Sequence, residues 1–546
     1  MKILFLGYRY TYFRNFDSVL RELARRGHEV HLAVEEEYEH GRAMIADLAA
    51  EYPTLTFGAA PNRVDDEWSW VAGRIRHGLD YLRYQHRAFD DTPMLRERSR
   101  ERTPGLFVAL GTFVRRYARW TRRPLAAWLR WLERSVPEDA SIRGFLEQQR
   151  PDVVLITPLI TLGSSQIDYL RAARALRLPT ALCVWSWDHL SSKALIRERP
   201  DRVFVWNDTQ KTEAIEMHGV PADRVVVTGA QCFDKWFDRT PSRDRETFRR
   251  DAGVPLEGPL ILYVCSAPFS GSQPEAPFVV EWIRYLRAHG SPRVRTAPIL
   301  VRPHPSRRPE WESVDVSPFA NVVVWGAGDP ADIGSRDDYF DSLYHSAAVV
   351  GLNTSAFIEA GIVGRPVHAL LLPEWYESQM GTVHFRYLLG AGGGLLIAAA
   401  SFDEHAAQLD RSLAGEAPDR RAFIQAFVRP AGLQVAATPR FADAVEATRS
   451  LTLSPQAPLR LAGLAHRLLR FAISYRDDVA RERWVYSERE LEKIVRMRSL
   501  RESKAEKERA LKRAVRATKE LRQVDKQVEL ERRRSAKDAS KAPASR

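Results

Sequence analysis

Short apolar runs alternate with polar loops and amphipathic helix patterns along the first part of the chain. The first run, Lys2–Gly7, is followed by a helical pattern with apolar residues between positions 16 and 23, and then by a second run, His28–Val34. Unbroken apolar runs are typical of parallel strands that are buried on both faces. Arg25, Arg26 and Gly27 end the helical pattern with the basic residues and glycine that favour a helix terminus. The pattern predicts a β-α-β unit with a ligand-facing loop after its first strand.

The same alternation returns twice more and sets the expected domain organisation. Strand signals stop between about residues 65 and 150, where the chain becomes helical and aromatic, and they resume at Asp152. A polar stretch near residue 240 separates these runs from a second series that begins at Leu260. We expect an α/β protein with two Rossmann-like lobes and a cleft between them. The predicted units are residues 1–240 with a helical insertion at about 65–150, residues 241–453, and a helical, basic extension at 454–546.

Composition places most of the positive charge in the tail. The chain has 546 residues, 45% of them hydrophobic, and a net charge of +12. Residues 488–546 carry 20 Lys and Arg against 11 Asp and Glu, a net of +9, which leaves +3 for the remainder. The sparse Leu and Val residues of this tail fit a long amphipathic helix better than a coiled-coil heptad, and we expect its end to be disordered.

A second local excess of positive charge lies inside the helical insertion. Residues 101–134 contain 8 Arg and 2 Glu, interleaved with Trp120, Trp128 and Trp131. Arginine beside tryptophan suits a helix that lies on an anionic membrane surface. The alternative is an ordinary amphipathic helix with a tryptophan core. A nucleic-acid partner is not expected, because no nucleic-acid-binding module is recognisable.

Several classes of protein are disfavoured by what the sequence contains. The three cysteines, Cys183, Cys232 and Cys265, lie far apart, which favours a reducing compartment over a disulfide framework. No apolar run approaches the roughly 18–20 residues of a membrane span. The first residues are expected to form a strand rather than a signal peptide. These features predict a cytoplasmic protein without a required metal, because no Asp-x-Asp motif stands at a strand end.

The most informative pair of segments lies in the second half. Arg302-Pro-His304-Pro ends one predicted strand, and Asn353-Thr354-Ser355 stands where a later strand turns into a helix. Hydroxyls and free N–H groups at a helix start form a site for phosphate. Glu359 lies one helical turn beyond Ser355, where it could accept hydrogen bonds from a ribose diol. His304, between two prolines, would aim its ring into the cleft and, when protonated, pair with a diphosphate. Each segment alone is most often only an N-cap or a rigid turn.

In this order the segments resemble the GT-B-fold glycosyltransferases, in particular the surface-polysaccharide group that includes CDP-glycerol glycerophosphotransferases. The resemblance covers about residues 1–40 and 150–400. It rests on Pro303-His304-Pro305, on Thr354-Ser355 followed by Glu359-Ala360, and on the first strand with its loop. It implies that these motif residues contact the nucleotide-diphosphate donor. Arg302 and Asn353, beside them, are also assigned to donor binding and His304 to catalysis, and no cofactor is expected. The segment 326–338 is longer than the family's base-binding loop, so the base is not implied.

Further residues are assigned to the donor and to the acceptor. A loop after the strand that begins the second half, with Ser266 and Gly271, would let the backbone approach phosphate. In the first half, Trp187, Asp188 and His189 follow a strand directly. Tryptophan stacks on sugar rings, and Asp188 or His189 could deprotonate an attacking hydroxyl. The acceptor-binding residues expected beside Trp187 follow the first strand: Arg9, Tyr10 and Asn15.

The sequence therefore predicts a transferase. It would move a sugar, or glycerol phosphate, from a nucleotide-activated donor to a cell-surface glycan or lipid-linked acceptor. A peripheral position at the inner membrane face is part of this expectation. One alternative is an isomerase similar to UDP-N-acetylglucosamine 2-epimerase, which needs no acceptor. Another is a non-catalytic scaffold that senses a nucleotide and binds a partner through its C-terminal helix.

Overall fold

Two parallel sheets form the framework of the protein. The computed structural model describes residues 1–39, 41–268, 272–326, 333–453, 461–475, 482–497 and 499–500. The strands of the first sheet are β1 (Lys2–Gly7), β2 (Glu29–Val34), β3 (Leu55–Ala59), β4 (Val153–Thr157), β5 (Thr180–Cys183), β6 (Arg202–Val205) and β7 (Val225–Val227). The strands of the second sheet are β8 (Ile261–Val264), β9 (Ile299–Arg302), β10 (Val322–Val324), β11 (Ala348–Gly351), β12 (Val367–Leu370) and β13 (Leu396–Ala399).

Both sheets have the strand order of a doubly wound Rossmann fold. The first sheet runs β3-β2-β1-β4-β5-β6-β7, and the second runs β10-β9-β8-β11-β12-β13. In the first sheet Ile3 of β1 lies opposite Val30 on one side and Val153 on the other, with all three strands parallel. The order reverses between β1 and β4 and again between β8 and β11. Ligands of such folds bind outside the carboxyl ends of the strands at this switch point.

Helices cover both sheets and fill the insertion. Those of the first part are α1 (Asp17–Arg25), α2 (Arg42–Glu51), α3 (Glu67–Arg83), α4 (Pro93–Arg100), α5 (Gly105–Tyr117), α6 (Arg122–Arg134), α7 (Ala140–Gln149), α8 (Ile167–Ala175), α9 (His189–Ser192), α10 (Asp208–Glu216) and α11 (Asp234–Phe237). Those of the second part are α12 (Arg245–Asp251), α13 (Ala276–His289), α14 (Pro292–Thr296), α15 (Arg308–Trp311), α16 (Ile333–Tyr344), α17 (Ala356–Ile362), α18 (Val383–Gly390), α19 (Phe402–Leu413), α20 (Arg421–Phe427), α21 (Ala437–Arg449), α22 (Ala462–Ile473) and α23 (Glu482–Val485). Short 3-10 helices occur at Tyr10–Phe16, Arg87–Phe89, Arg119–Thr121, Ala222–Arg224, Gln231–Phe233, Pro305–Arg307, Pro373–Trp375 and Ala391–Gly393.

Each sheet is packed on both faces, as its apolar strands require. Residues of β1 alternate between two cores: Ile3 and Phe5 pack with α1, whereas Leu4 and Leu6 pack on the opposite face. The second sheet has the same arrangement, with Leu262 in one core and Ile261 in the other. Two Rossmann-like lobes with a helical insertion in the first, the fold class predicted from the sequence, are therefore confirmed.

The insertion and part of the C-terminal extension form one helical subdomain, which we define as α3–α6 together with α22 and α23. Asp66 starts its central helix by accepting a hydrogen bond from the Ser69 N–H at 2.7 Å, a capping box. Ala465 and Leu469 of α22 pack in the same core as Leu79 of α3. The predicted long basic helix beyond residue 500 lies outside the described residues.

The chain passes between the lobes twice at nearly the same place. It leaves the first lobe near residue 230 and returns after residue 428. The returning helix, α21, packs Phe441 against Phe204 of the first sheet. The two crossings are joined by Asp234, which forms a 3.0 Å ion pair with Arg429 and accepts a 2.6 Å hydrogen bond from the Thr438 N–H. The Ala230 N–H also donates to the Val428 carbonyl at 2.9 Å. The crossings therefore form one cross-linked unit.

Within the described ranges, no helix has both the length and the apolar character needed to cross a bilayer.

Candidate functional site

His304 lies just beyond the carboxyl end of β9 and is half-buried. Its Nδ1 accepts a hydrogen bond from the Ser306 N–H at 3.2 Å, which places the proton of a neutral ring on Nε2. Burial, aided by the positive charge of Arg307, lowers the pKa of His304. The ring is therefore neutral near pH 7. It can offer an N–H donor to a phosphate oxygen, and pairing of a protonated ring with a diphosphate stays a prediction.

A buried network that the sequence analysis missed fixes this loop. Arg307 is 2% exposed; its Nε donates to the Ser266 carbonyl at 2.8 Å, and its Nη1 forms a 2.6 Å ion pair with Glu310. Glu275, also fully buried, lies 3.4 Å from the Arg307 Nε. Arg307 thus joins the loop after β8 to the loop after β9. Its only sequence signal is its place three residues after His304.

Ser266 belongs to the same network and is almost fully buried. Its N–H and its Oγ both donate to the Glu275 carboxylate, at 2.9 and 2.6 Å. The hydroxyl is therefore engaged inside the protein, and phosphate binding by Ser266 stays a prediction. Gly271, the other predicted residue of this loop, lies outside the described residues.

Arg302 ends β9 but packs inside the second lobe. Its guanidinium lies 5.2 Å from the ring centre of Trp325 and 5.6 Å from that of Tyr339, and it donates to the Asp338 carbonyl at 3.2 Å. Gly326, with φ of +69°, is required beside it, because a Cβ there would lie 2.8 Å from the guanidinium carbon. Burial lowers the pKa of Arg302 to about 10, so it remains charged at neutral pH. Donor binding by Arg302 stays a prediction.

The turn between β11 and α17 carries the predicted hydroxyl residues. Asn353 donates through its side chain to the Ser378 carbonyl, which ties the turn to the loop after β12. The Thr354 Oγ1 accepts from the Ala356 N–H at 3.3 Å, and Ser355 is the exposed N-cap residue of α17. The Ser355 hydroxyl has no partner among the described residues. This turn lies beside the β8–β11 switch point, where a ligand is expected.

Glu359 lies on the first turns of α17 and faces positive charge from several elements. It accepts a hydrogen bond from the Tyr339 hydroxyl. Burial raises the pKa of its carboxyl, while Tyr339 and the charges of Lys235, Arg14 and Arg239 act in the opposite direction. Arg14 comes from the loop after β1, so this cluster joins the first lobe to α17. Arg14, Lys235 and Arg239 were not singled out in the sequence.

Asp188, just after β5, is ionised. It forms a 2.9 Å ion pair with Lys193 and accepts hydrogen bonds from the hydroxyls of Ser186 and, at 2.7 Å, Ser192. Burial alone would raise its pKa, but Lys193, His384 and these hydrogen bonds hold the pKa of Asp188 well below its usual range. The carboxylate is partly exposed, so it can contact a bound hydroxyl.

His189 and Trp187, the sequence neighbours of Asp188, lie in the interior of the protein rather than at the cleft. His189 is fully buried; its Nε2 lies 2.9 Å from the Pro158 carbonyl, and burial lowers its pKa to about 3. Having no contact with solvent, it has no route to an acceptor hydroxyl, which corrects its expected place in the cleft. Trp187 packs edge-on against His384 of α18, with ring centres 4.7 Å apart. It therefore joins the lobes rather than presenting a face to a sugar.

Of the predicted acceptor-binding residues after β1, one is buried and two lie nearer the surface. Tyr10 is fully buried against Phe57, so its ring does not face the cleft as expected. Arg9 is half-exposed and pairs with Glu36 at 2.5 Å. Asn15 lies near the same loop end, and its carbonyl accepts from the Gln231 side chain at 3.2 Å. Acceptor binding by Arg9 and Asn15 stays a prediction.

The loop after β1 connects the two groups of residues. Tyr12 packs against Trp185 with ring centres 5.2 Å apart, and the charge of Asp188 acts on its pKa. Two residues later, Arg14 acts on Glu359 of the second lobe. One short loop therefore borders both the Asp188 side and the α17 side. The region between the lobes is therefore bordered by Asp188 on one side and Glu359 on the other.

Comparison of the sequence with models of known protein families and with curated proteins gives no match. Similar solved structures include a glycosyltransferase from Rickettsia africae, with 11% identity over 83% of this chain and 99% of that chain and a TM-score of 0.47. A putative UDP-N-acetylglucosamine 2-epimerase from Listeria monocytogenes has 13% identity, 84% and 99% coverage and a TM-score of 0.47. The UDP-N-acetylglucosamine 2-epimerase from Neisseria meningitidis, bound to UDP-N-acetylglucosamine, has 12% identity, 82% and 100% coverage and a TM-score of 0.45. These proteins include both enzyme classes considered from the sequence, and similarity at this level does not choose between them.

Proposed function

We propose that this protein is a transferase of the GT-B type that moves a sugar, or glycerol phosphate, from a nucleotide-activated donor to an acceptor hydroxyl. The observation that carries the proposal is the loop after β1. Its Tyr12 packs against Trp185, three residues before the ionised Asp188 of the first lobe, and the charge of its Arg14 acts on Glu359 of the second. Both regions lie at the carboxyl ends of parallel strands, where doubly wound sheets bind ligands.

The second lobe offers groups suited to a departing diphosphate. His304 would donate from Nε2, and the Ser355 hydroxyl from the turn before α17. Arg14, Lys235 and Arg239 supply positive charge nearby, and Glu359 would accept from the ribose diol. Fixed donors and charges that face developing negative charge stabilise a transition state without rearrangement. Transfer without a cofactor is part of this proposal.

The first lobe supplies the group that would receive the acceptor's proton. Asp188 is ionised at neutral pH and partly exposed, and Lys193 holds it in place. A carboxylate with a low pKa is a weak general base, so its main effect would be to orient the hydroxyl and balance developing positive charge. The donor-side electrostatics would then contribute more to the rate than proton transfer.

The acceptor and the place of action are proposed as well. We favour a cell-surface glycan or lipid-linked acceptor, with the protein peripheral at the cytoplasmic face of a membrane. The arginine- and tryptophan-rich insertion supports this choice.

A donor panel tests the proposal. Purified protein is incubated with UDP-, GDP-, CMP- and CDP-linked sugars and with CDP-glycerol, and release of free nucleotide is followed with time. We expect slow hydrolysis of one donor, reduced by at least about 100-fold in His304→Ala, because one lost donor at a leaving group costs this much. Arg308→Ala, which alters an exposed arginine four residues away, is the matched control. Absence of binding and turnover with every donor would reject the proposal.

An isomerase remains the second candidate, because Tyr10 and Trp187, two residues expected to hold an acceptor, pack in the interior. NMR of a nucleotide sugar with the protein and no acceptor separates the two. Epimerised donor with the nucleotide bond intact would favour the isomerase.

A further inference from the structure

Helix α5 exposes an apolar stripe on the side facing away from the helical subdomain. Leu106, Leu110, Phe113 and Tyr117 follow the spacing of one helix face, and Phe113 and Tyr117 are 57% and 67% exposed. The opposite face is in contact: Gly111 lies against the ring of Tyr81, where a Cβ would come within 2.7 Å. The stripe is therefore not the buried face of this helix, and nothing among the described residues covers it.

Two exposed tryptophans follow the α5 stripe in the sequence. Trp120, in the 3-10 turn between α5 and α6, is 80% exposed, and Trp128 of α6 is 46% exposed. Trp120 is more open to water than any other large hydrophobic side chain that the structure describes. Tryptophan is favoured where one side of a surface is apolar and the other is wet.

A second stripe lies on α22 of the same subdomain. Leu461, Leu464, Leu468 and Phe471 are exposed at helical spacing, while Leu469 is buried in the core shared with α3 and α6. Within the part of the chain that the structure describes, the subdomain therefore presents two exposed apolar helix faces, one from the insertion and one from the C-terminal extension.

Positive charge borders both stripes. Arg116 and Arg123 follow the α5 stripe, and Arg467 and Arg470 flank the α22 stripe. None of these four forms an ion pair with another described residue, whereas Arg119 is paired with Asp90 at 2.9 Å. Exposed arginines beside exposed aromatic residues match a surface that is both apolar and anionic. A second copy of this chain would bring the same arginines face to face, which disfavours self-association.

We infer that the α5 stripe forms a docking face for an anionic lipid bilayer, with Phe113 and Trp120 in the acyl boundary and Arg116 and Arg123 at the lipid phosphates. The inference names the surface by which the proposed transferase would work at a membrane, and it rests on that proposed function. Its physical basis is separate, since no residue of the stripes belongs to the region between the lobes.

Co-sedimentation of the full chain with vesicles tests the inference. Vesicles of phosphatidylcholine alone are compared with vesicles that contain about one-third phosphatidylglycerol, in 0.1 M and 0.5 M NaCl. We expect binding to the anionic vesicles only, reduced at least about tenfold in Phe113→Ser/Trp120→Ser, which corresponds to about 1.4 kcal/mol. At 0.5 M NaCl charge attraction is screened, so the remaining binding reports the aromatic contribution rather than the basic tail.

The matched control is Leu256→Ser/Tyr376→Ser, which removes two exposed apolar side chains from the second lobe. It should bind as wild type does. Wild-type binding by Phe113→Ser/Trp120→Ser, or no binding of wild type to anionic vesicles, would overturn the inference. Loss of a concentration-dependent dimer in that variant, without vesicle binding, would assign the face to a second copy instead. Donor hydrolysis without vesicles should be unchanged in both variants. If the wild-type protein binds vesicles but is inactive on every donor, the proposed transferase function is rejected and the docking face is retained.

Discussion

Substitution of Arg307 tests whether the buried network holds the donor-side loops. Arg307→Ala removes the partner of Glu275, which has no contact with solvent, and the donor to the Ser266 carbonyl. Removing one partner of a buried ion pair costs about 3–5 kcal/mol, because an uncompensated charge stays behind. Burial already raises the pKa of Glu275, so part of this cost is avoided when the carboxyl takes up a proton. We therefore expect the lower end of the range, about 3 kcal/mol.

The free energy of unfolding is measured by urea titration followed by tryptophan fluorescence. Arg308→Ala, next to it in sequence but exposed, should be unchanged. The double variant Arg307→Ala/Glu275→Gln removes the unpaired charge and should recover at least about 1 kcal/mol, as expected for residues in contact. The KM for the donor should also rise, because the loop that carries His304 is no longer tied to the loop after β8. Wild-type stability and an unchanged KM in Arg307→Ala would show that this reasoning is wrong.

Three further variants test the remaining parts of the structure. His304→Gln keeps a side-chain N–H donor and should retain more donor hydrolysis than His304→Ala, whereas equal losses would argue against the Nε2 hydrogen bond. Asp188→Asn should lower transfer by about 100-fold, measured with a saturating donor, and unchanged transfer would remove Asp188 from the reaction. Burial raises the pKa of Glu213 to about 8, above its usual value. Between about pH 5 and pH 8 the folded state therefore holds a proton that the unfolded state releases, and the free energy of unfolding should fall as the pH rises. Between pH 5 and pH 8 the urea midpoint should fall less in Glu213→Gln than in the exposed control Glu216→Gln. Equal falls in the two variants would show that Glu213 is not the cause of the pH dependence.

Most of the framework was predictable, because buried parallel strands require continuous apolar runs. The two strands that the pattern missed, β3 and β13, both lie at sheet edges. In β3 a threonine and a glycine interrupt the apolar residues, and only Leu55 is fully buried. A strand with one open side needs fewer apolar residues, so its sequence carries a weaker signal.

The positions of the candidate residues followed from the fold, but their orientations did not. A strand end places a residue at the cleft edge of the sheet, while packing decides whether its side chain turns outward. Tyr10, Trp187 and His189 turn inward against neighbours that are distant in sequence. Arg307 shows the converse, since a charged residue after a strand is expected in solvent and instead ties two loops together in the interior.

The paired crossings joined by Asp234 constrain how the two lobes can move. Because both connections pass through one place, we expect the two lobes to move relative to each other by a hinge rotation about the crossings. Such a rotation would change the contact between Trp187 of the first lobe and His384 of the second lobe, whose ring centres lie 4.7 Å apart.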